Sequence, residues 1–180
     1  PKIKDFYPDL ILILDMPVVS QEFVDKINVP IIWIDHHPPI KLEGVRYFNP
    51  RLLKNSNNKP TTYWCYKLIK KDIWIAAIGN IADWHKPDFF NDFMKRYPGL
   101  ADKNDKVEDL LFRSELGKLA KIFFLILKNN TTIVNKCINI LVNVNDPYEI
   151  LNQETDGAKY IYSKTQKIWK KYDILLKKAL

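Results

Sequence analysis

The sequence predicts an α/β fold: a parallel sheet with flanking helices, followed by an all-helical segment. Three observations predict it. Asp9-Leu-Ile-Leu-Ile-Leu-Asp15 and Ile31-Ile-Trp-Ile34 are short apolar runs, and runs that are apolar on both faces suit strands of a parallel sheet covered by helices. An amphipathic stretch lies between them, which completes a strand–helix–strand unit. From about Pro87 onward the apolar residues instead recur at i, i+3 and i+4, the helical period. The expected organisation is a partial α/β core over residues 1–87. A helical segment over 88–180 would be packed on that core or inserted next to it.

Each element has its own signal. Ser20-Gln-Glu-Phe-Val-Asp-Lys-Ile27 offers a serine N-cap, acids in the first turn, and Phe23, Val24 and Ile27 on one face. Pro30 leads into the second strand. Val45–Phe48 predicts a short third strand closed by Asn49-Pro50, and Lys54–Lys59 a polar loop. Pro60-Thr61-Thr62 opens a helix reaching to about Lys71, with the threonines expected to cap it. Ile73–Ala82 reads as helix, with strand as the alternative because isoleucine is frequent there. Leu110–Phe112, Leu116–Leu127, Ile133–Val142 and Ala158–Leu180 follow as helices. Asp146-Pro147 is an N-cap followed by proline at the first helical position. In the last helix Ile161, Ile168, Tyr172, Leu175 and Ala179 form one stripe. Lys164, Lys167, Lys171 and Lys178 flank it, and Lys170 and Lys177 lie on its back.

Composition narrows the function classes. With 180 residues, 47% of them hydrophobic, the chain can bury a core, and 27% charged residues read as globular rather than disordered. A net charge of +7 favours an acidic partner, nucleic acid first and an anionic membrane surface second. The longest apolar run, Ile122–Leu127, is far short of the roughly 20 residues that span a bilayer. Cys65 and Cys137 are far apart and form no C-x-x-C pair, which fits a reducing cytoplasm better than an oxidising compartment.

The chemistry gathers where strands end. The first run ends in Asp15 and the second in Asp35-His36-His37, before Pro38-Pro39 turns the chain. In an open parallel sheet ligands bind at the carboxyl ends of strands, so neighbouring strands would bring these side chains to one edge. A third acid closes Ala77-Ile-Gly-Asn-Ile-Ala-Asp83. Carboxylates with a neutral imidazole are ligands for Mn²⁺ or another divalent ion that keeps positions open for water.

An Asp-His-His after a hydrophobic strand, preceded by a strand ending in Asp15 and followed by Gly79-x-x-x-Asp83, resembles the DHH phosphoesterase superfamily. The three motifs stand in family order over residues 9–85. The helical half, with Glu115-Leu-Gly-Lys-Leu-Ala120 and Asp146-Pro-Tyr-Glu-Ile-Leu151, is similar to RecJ-like nucleases, including their archaeal branch. The resemblance implies a DHH-type core and Mn²⁺-dependent hydrolysis of phosphodiesters (with Mg²⁺ as the alternative), most readily in single-stranded DNA or RNA during repair or replication. It implies that Asp15 bridges two metal ions and that His36 and Asp83 ligate one of them. Asp35 would hold an imidazole in its ligating tautomer, and His37 would stabilise charge on the scissile phosphate. The family also carries an Asp-x-Asp strand before the one that opens this chain. The missing motif is therefore expected on an upstream segment of about 30 residues or more, or on a second polypeptide, and the chain alone is expected to be inactive. Two rival functions fit the same resemblance. One is a non-catalytic replisome scaffold, and the other a phosphodiesterase for short oligonucleotides, cyclic dinucleotides or small phosphoesters.

Plainer readings stand beside these. Asp15 can serve as a turn residue, Asp83 as a helix-terminal cap, and Asp35-His36-His37 as a polar strand end. His85 reads as a supporting or surface residue. The lysines of the last helix read as a solvated face, and Trp64, Trp74 and Trp169 as core.

Overall fold

The computed structural model describes residues 3–179, apart from the side chains of residues 4, 173 and 175–179. The expected stripe positions Leu175 and Ala179, and Lys177 and Lys178, therefore lie outside the described side chains. The chain divides into two compact units, one ending at Ile69 and one beginning at Lys70.

The first unit holds a three-stranded sheet, β1 (Ile11–Leu14), β2 (Ile31–Ile34) and β3 (Arg46–Phe48), in that spatial order. Both pairings are parallel, with Ile13 opposite Trp33 and Trp33 opposite Tyr47. Helix α1 (Gln21–Asp25) connects β1 to β2, and the Ser20 side chain accepts from the Phe23 N–H at its start. The expected strand–helix–strand unit is present. The link from β2 to β3 carries no helix; it turns through Gly44, whose φ of +75° favours glycine.

One face of the sheet builds a core. Val19, Val24, Ile31 and Trp33 are buried together, with Ile11, Ile13, Phe23, Ile27 and Tyr47 packed against them. Trp33 and Tyr47 stack with ring centroids 4.1 Å apart, a cross-strand aromatic pair of the stabilising kind. Helix α2 (Thr61–Ile69) belongs to the same unit, and Trp64 meets Phe48 edge-on at 5.0 Å. β2 is covered on both faces as expected, but β1 is not. Leu12 and Leu14 are exposed, and with Met16 and Val18 they line an apolar groove along β1. β1 is also the edge of the sheet, and among the described residues nothing pairs with its outer side.

The second unit is helical: α3 (Ile73–Ala82), α4 (Phe90–Arg96), α5 (Val107–Arg113), α6 (Glu115–Ile126), α7 (Thr131–Leu141), α8 (Pro147–Leu151) and α9 (Asp156–Ala179). The expected choice of helix over strand for Ile73–Ala82 holds. α3 is apolar nearly all round, as a buried helix should be. α6 packs against α3, α5 and α9, burying Leu116, Leu119, Ile122 and Ile126 while Phe124 and Leu127 stay exposed. Asp146 caps α8, its carboxylate accepting from the Tyr148 N–H at 2.8 Å. In α9, Ile161 is buried and Tyr172 exposed, so the apolar stripe leaves the core as the helix proceeds. Among the described residues no helix is long and apolar enough to cross a membrane.

Candidate metal centre

Asp15 and Asp35 occupy equivalent places. Each follows its strand directly, and each is held by one more rung of the ladder: Asp15 N–H to Ile34 O at 3.0 Å, Asp35 N–H to Phe48 O at 3.1 Å. Strand pairing thus aligns the two acids at the carboxyl edge. Asp15 has φ of +58°. Few residues other than glycine take this left-handed conformation, although aspartate and asparagine tolerate it best. The Trp33 indole N–H donates to Met16 O at 3.1 Å and fastens the turn that follows.

The side chain of Asp35 is fully buried, and its partners come from the next turn. One carboxylate oxygen accepts from the His37 N–H at 3.0 Å, and the other lies 2.7 Å from His37 Nδ1. His36 points the other way, its Nδ1 3.4 Å from Asn58 O and its Nε2 3.4 Å from Asp15 Oδ1. A carboxylate only accepts, so in the neutral His37 imidazole the proton belongs on Nδ1 and the lone pair on Nε2, whereas His36 has an acceptor oxygen at each ring nitrogen. For His37 that is the tautomer a metal-ligating histidine needs, enforced by its carboxylate partner.

Asp15, His36 and His37 each offer a ligand atom, and the three atoms lie within 4.8 Å of one another. One carboxylate and two imidazoles suit a divalent ion with positions left for water or substrate. The structure therefore brings together three of the expected site residues, with Asp35 bracing His37. His37, expected from the resemblance to face phosphate, stands among the candidate ligands. Asp83 belongs to the second unit, where it ends α3 with its N–H bonded to Gly79 O and Asn80 O. That is the helix-terminal position of its plainer reading. His85 donates its N–H to Asn80 O.

The sequence does not announce the residues that hold the turn in place. The Asn49 amide donates to His37 O at 2.9 Å and to the Tyr47 hydroxyl at 2.8 Å. Arg51 donates from Nε to His36 O at 2.7 Å and from its backbone N–H to Asn49 Oδ1 at 3.0 Å. The exit of β3 thus clamps both histidine carbonyls. The only sequence signal is Asn49-Pro50 directly after a strand, which reads as a terminator.

The expected capping role of Thr61 and Thr62 is corrected. Both lie inside α2, and Pro60 O accepts from Tyr63 and Trp64 at its start. The Thr61 hydroxyl is buried with no hydrogen-bond partner among the described residues. The Cys65 thiol is pushed up from its ordinary pKa by burial, and the Asp15 carboxylate adds to the effect. It therefore stays protonated near neutrality and is a poor nucleophile.

Compared with family models, curated proteins and solved structures, the chain matches none.

Proposed function

We propose that the chain carries the DHH-type core of a divalent-cation-dependent phosphodiesterase acting on single-stranded nucleic acid, as the resemblance implies. One observation supports the reading above the rest. Asp15, His36 and His37 converge at the carboxyl edge of a parallel sheet, with both imidazoles oriented by oxygen acceptors. Bound there, Mn²⁺ would polarise a phosphoryl oxygen and lower the pKa of a water. Asp15 and His36 hold the ion, and Asp35 keeps His37 in one orientation, with Nε2 as its remaining nitrogen.

The test measures, in the complete protein, Mn²⁺ binding and hydrolysis together, by electron paramagnetic resonance of free Mn²⁺ and by turnover of a labelled single-stranded oligonucleotide. His36→Ala should lose both while the far-ultraviolet circular dichroism stays unchanged. His37→Ala separates two roles: lost binding makes it a ligand, while retained binding with lost turnover makes it a phosphate contact. Asp83→Asn tests the remaining expected ligand in the same way. Wild-type protein that binds no Mn²⁺ would overturn the reading and favour a scaffold. Faster turnover of a dinucleotide than of a long strand would move the substrate to short phosphodiesters.

A further inference from the structure

We infer that Arg51 is a substrate-binding residue: its guanidinium takes a phosphate oxygen of the nucleic acid held at the Asp15–His36–His37 cluster. The inference rests on the phosphodiesterase reading above and names how that site holds its substrate.

Two contacts fix Arg51. Its backbone N–H is bound to Asn49 Oδ1, and its Nε donates to the carbonyl of His36. His36 is also the residue whose Nε2 approaches Asp15 at 3.4 Å, so the guanidinium is tied to the backbone of a proposed ligand. Arg51 is nevertheless exposed, and among the described residues no carboxylate pairs with it. Arg113, by contrast, is 3.1 Å from Asp109. Nε uses one of five guanidinium donors, which leaves the outer pair of nitrogens for another acceptor. Anchoring through Nε also removes much of the rotamer freedom that an exposed arginine would otherwise lose on binding. A planar fork, pre-oriented and unpaired beside a cluster suited to a divalent cation, matches the two non-bridging oxygens of a phosphodiester. The alternative role, bracing His36, uses only the Nε bond and leaves the remaining guanidinium donors unused.

The test compares wild type, Arg51→Lys and Arg51→Ala in two separate measurements. The first is Mn²⁺ affinity in the absence of nucleic acid. The second is fluorescence anisotropy of a labelled phosphorothioate oligodeoxynucleotide with Mn²⁺ present, over a series of salt concentrations. Arg51→Ala should weaken oligonucleotide binding about tenfold, the effect of losing a charge-assisted contact. It should also flatten the log–log salt slope by about 0.7, as expected for one fewer phosphate contact on a single strand. Arg51→Lys should keep the slope, because it keeps the charge, but bind more weakly because it lacks the fork. Both variants lose the Nε bond to the His36 carbonyl, so Mn²⁺ affinity should fall by a similar small factor in the two, well under the loss in oligonucleotide binding, which is read at saturating Mn²⁺. Unchanged oligonucleotide affinity and slope in Arg51→Ala would overturn the inference and leave the metal reading standing. A loss of oligonucleotide binding no greater than the loss of Mn²⁺ affinity would also overturn it, by making Arg51 only a brace for His36. Failure of wild type to bind Mn²⁺ would instead sink the reading on which it rests.

Discussion

Asp35 shows what a buried carboxylate costs and what justifies it. A fully buried charge is expensive unless its lone pairs are met, and His37 meets them with its backbone N–H and its Nδ1. Asp35→Asn keeps the shape but can offer an N–H where His37 needs an acceptor. Mn²⁺ affinity should therefore fall about 10- to 100-fold, the range for losing a group that orients a ligand, as titration calorimetry would show. Asp15→Asn behaves differently. Asparagine is at home at positive φ, so thermal stability without metal should be kept or slightly raised while Mn²⁺ binding is lost. A large drop in apo stability would mean that Asp15 is needed for the fold. Asn49→Ala removes the donor from two half-buried acceptors, His37 O and the Tyr47 hydroxyl, and should cost about 1 kcal/mol in urea unfolding. Residues whose chemistry lies in the side chain, such as Asp15 and Asp35-His36-His37, are legible from sequence. Asn49, Arg51 and Asn58 are not, because they meet the site through backbone carbonyls or offer one themselves, and any residue has a carbonyl.

At the scale of elements, apolar period and turn chemistry predict most of what forms. β2 matches its expected bounds, as does α3. α4 has no such signal: Phe90 and Phe93 are buried in seven residues, too short a run for a helical period to stand out. The junction of α5 and α6 is likewise silent in sequence, although it is tightly constrained. A Cβ on Gly117 would lie 2.2 Å from Leu111 O and 2.4 Å from Leu110 O. Alanine in a helix interior is ordinarily favoured over glycine by up to about 1 kcal/mol. Here backbone would have to move, and overpacking costs about 1–3 kcal/mol. Gly117→Ala should therefore destabilise the protein in thermal melts, against the usual sign.

For the whole molecule, composition foretells a core and a basic surface, but no pattern along the chain marks the division after Ile69. The cluster Asp15–His36–His37 lies wholly in the first unit, so Mn²⁺ should stabilise that unit. Ion at a hundred times its dissociation constant adds about 2.7 kcal/mol, and hydrogen exchange at the strand amides would report it. The edge position of β1 gives that experiment a built-in ruler. Ile11 and Asp15 direct their N–H groups to β2, and in a parallel strand the residues between alternate in direction. The amides of Leu12 and Leu14 therefore face outward, and deuterium should enter this strand as a comb, fast at 12 and 14 and slow at 13 and 15. Anything that later settles along that side, whether another copy or a different chain, would erase the teeth of the comb and so reveal itself without any label.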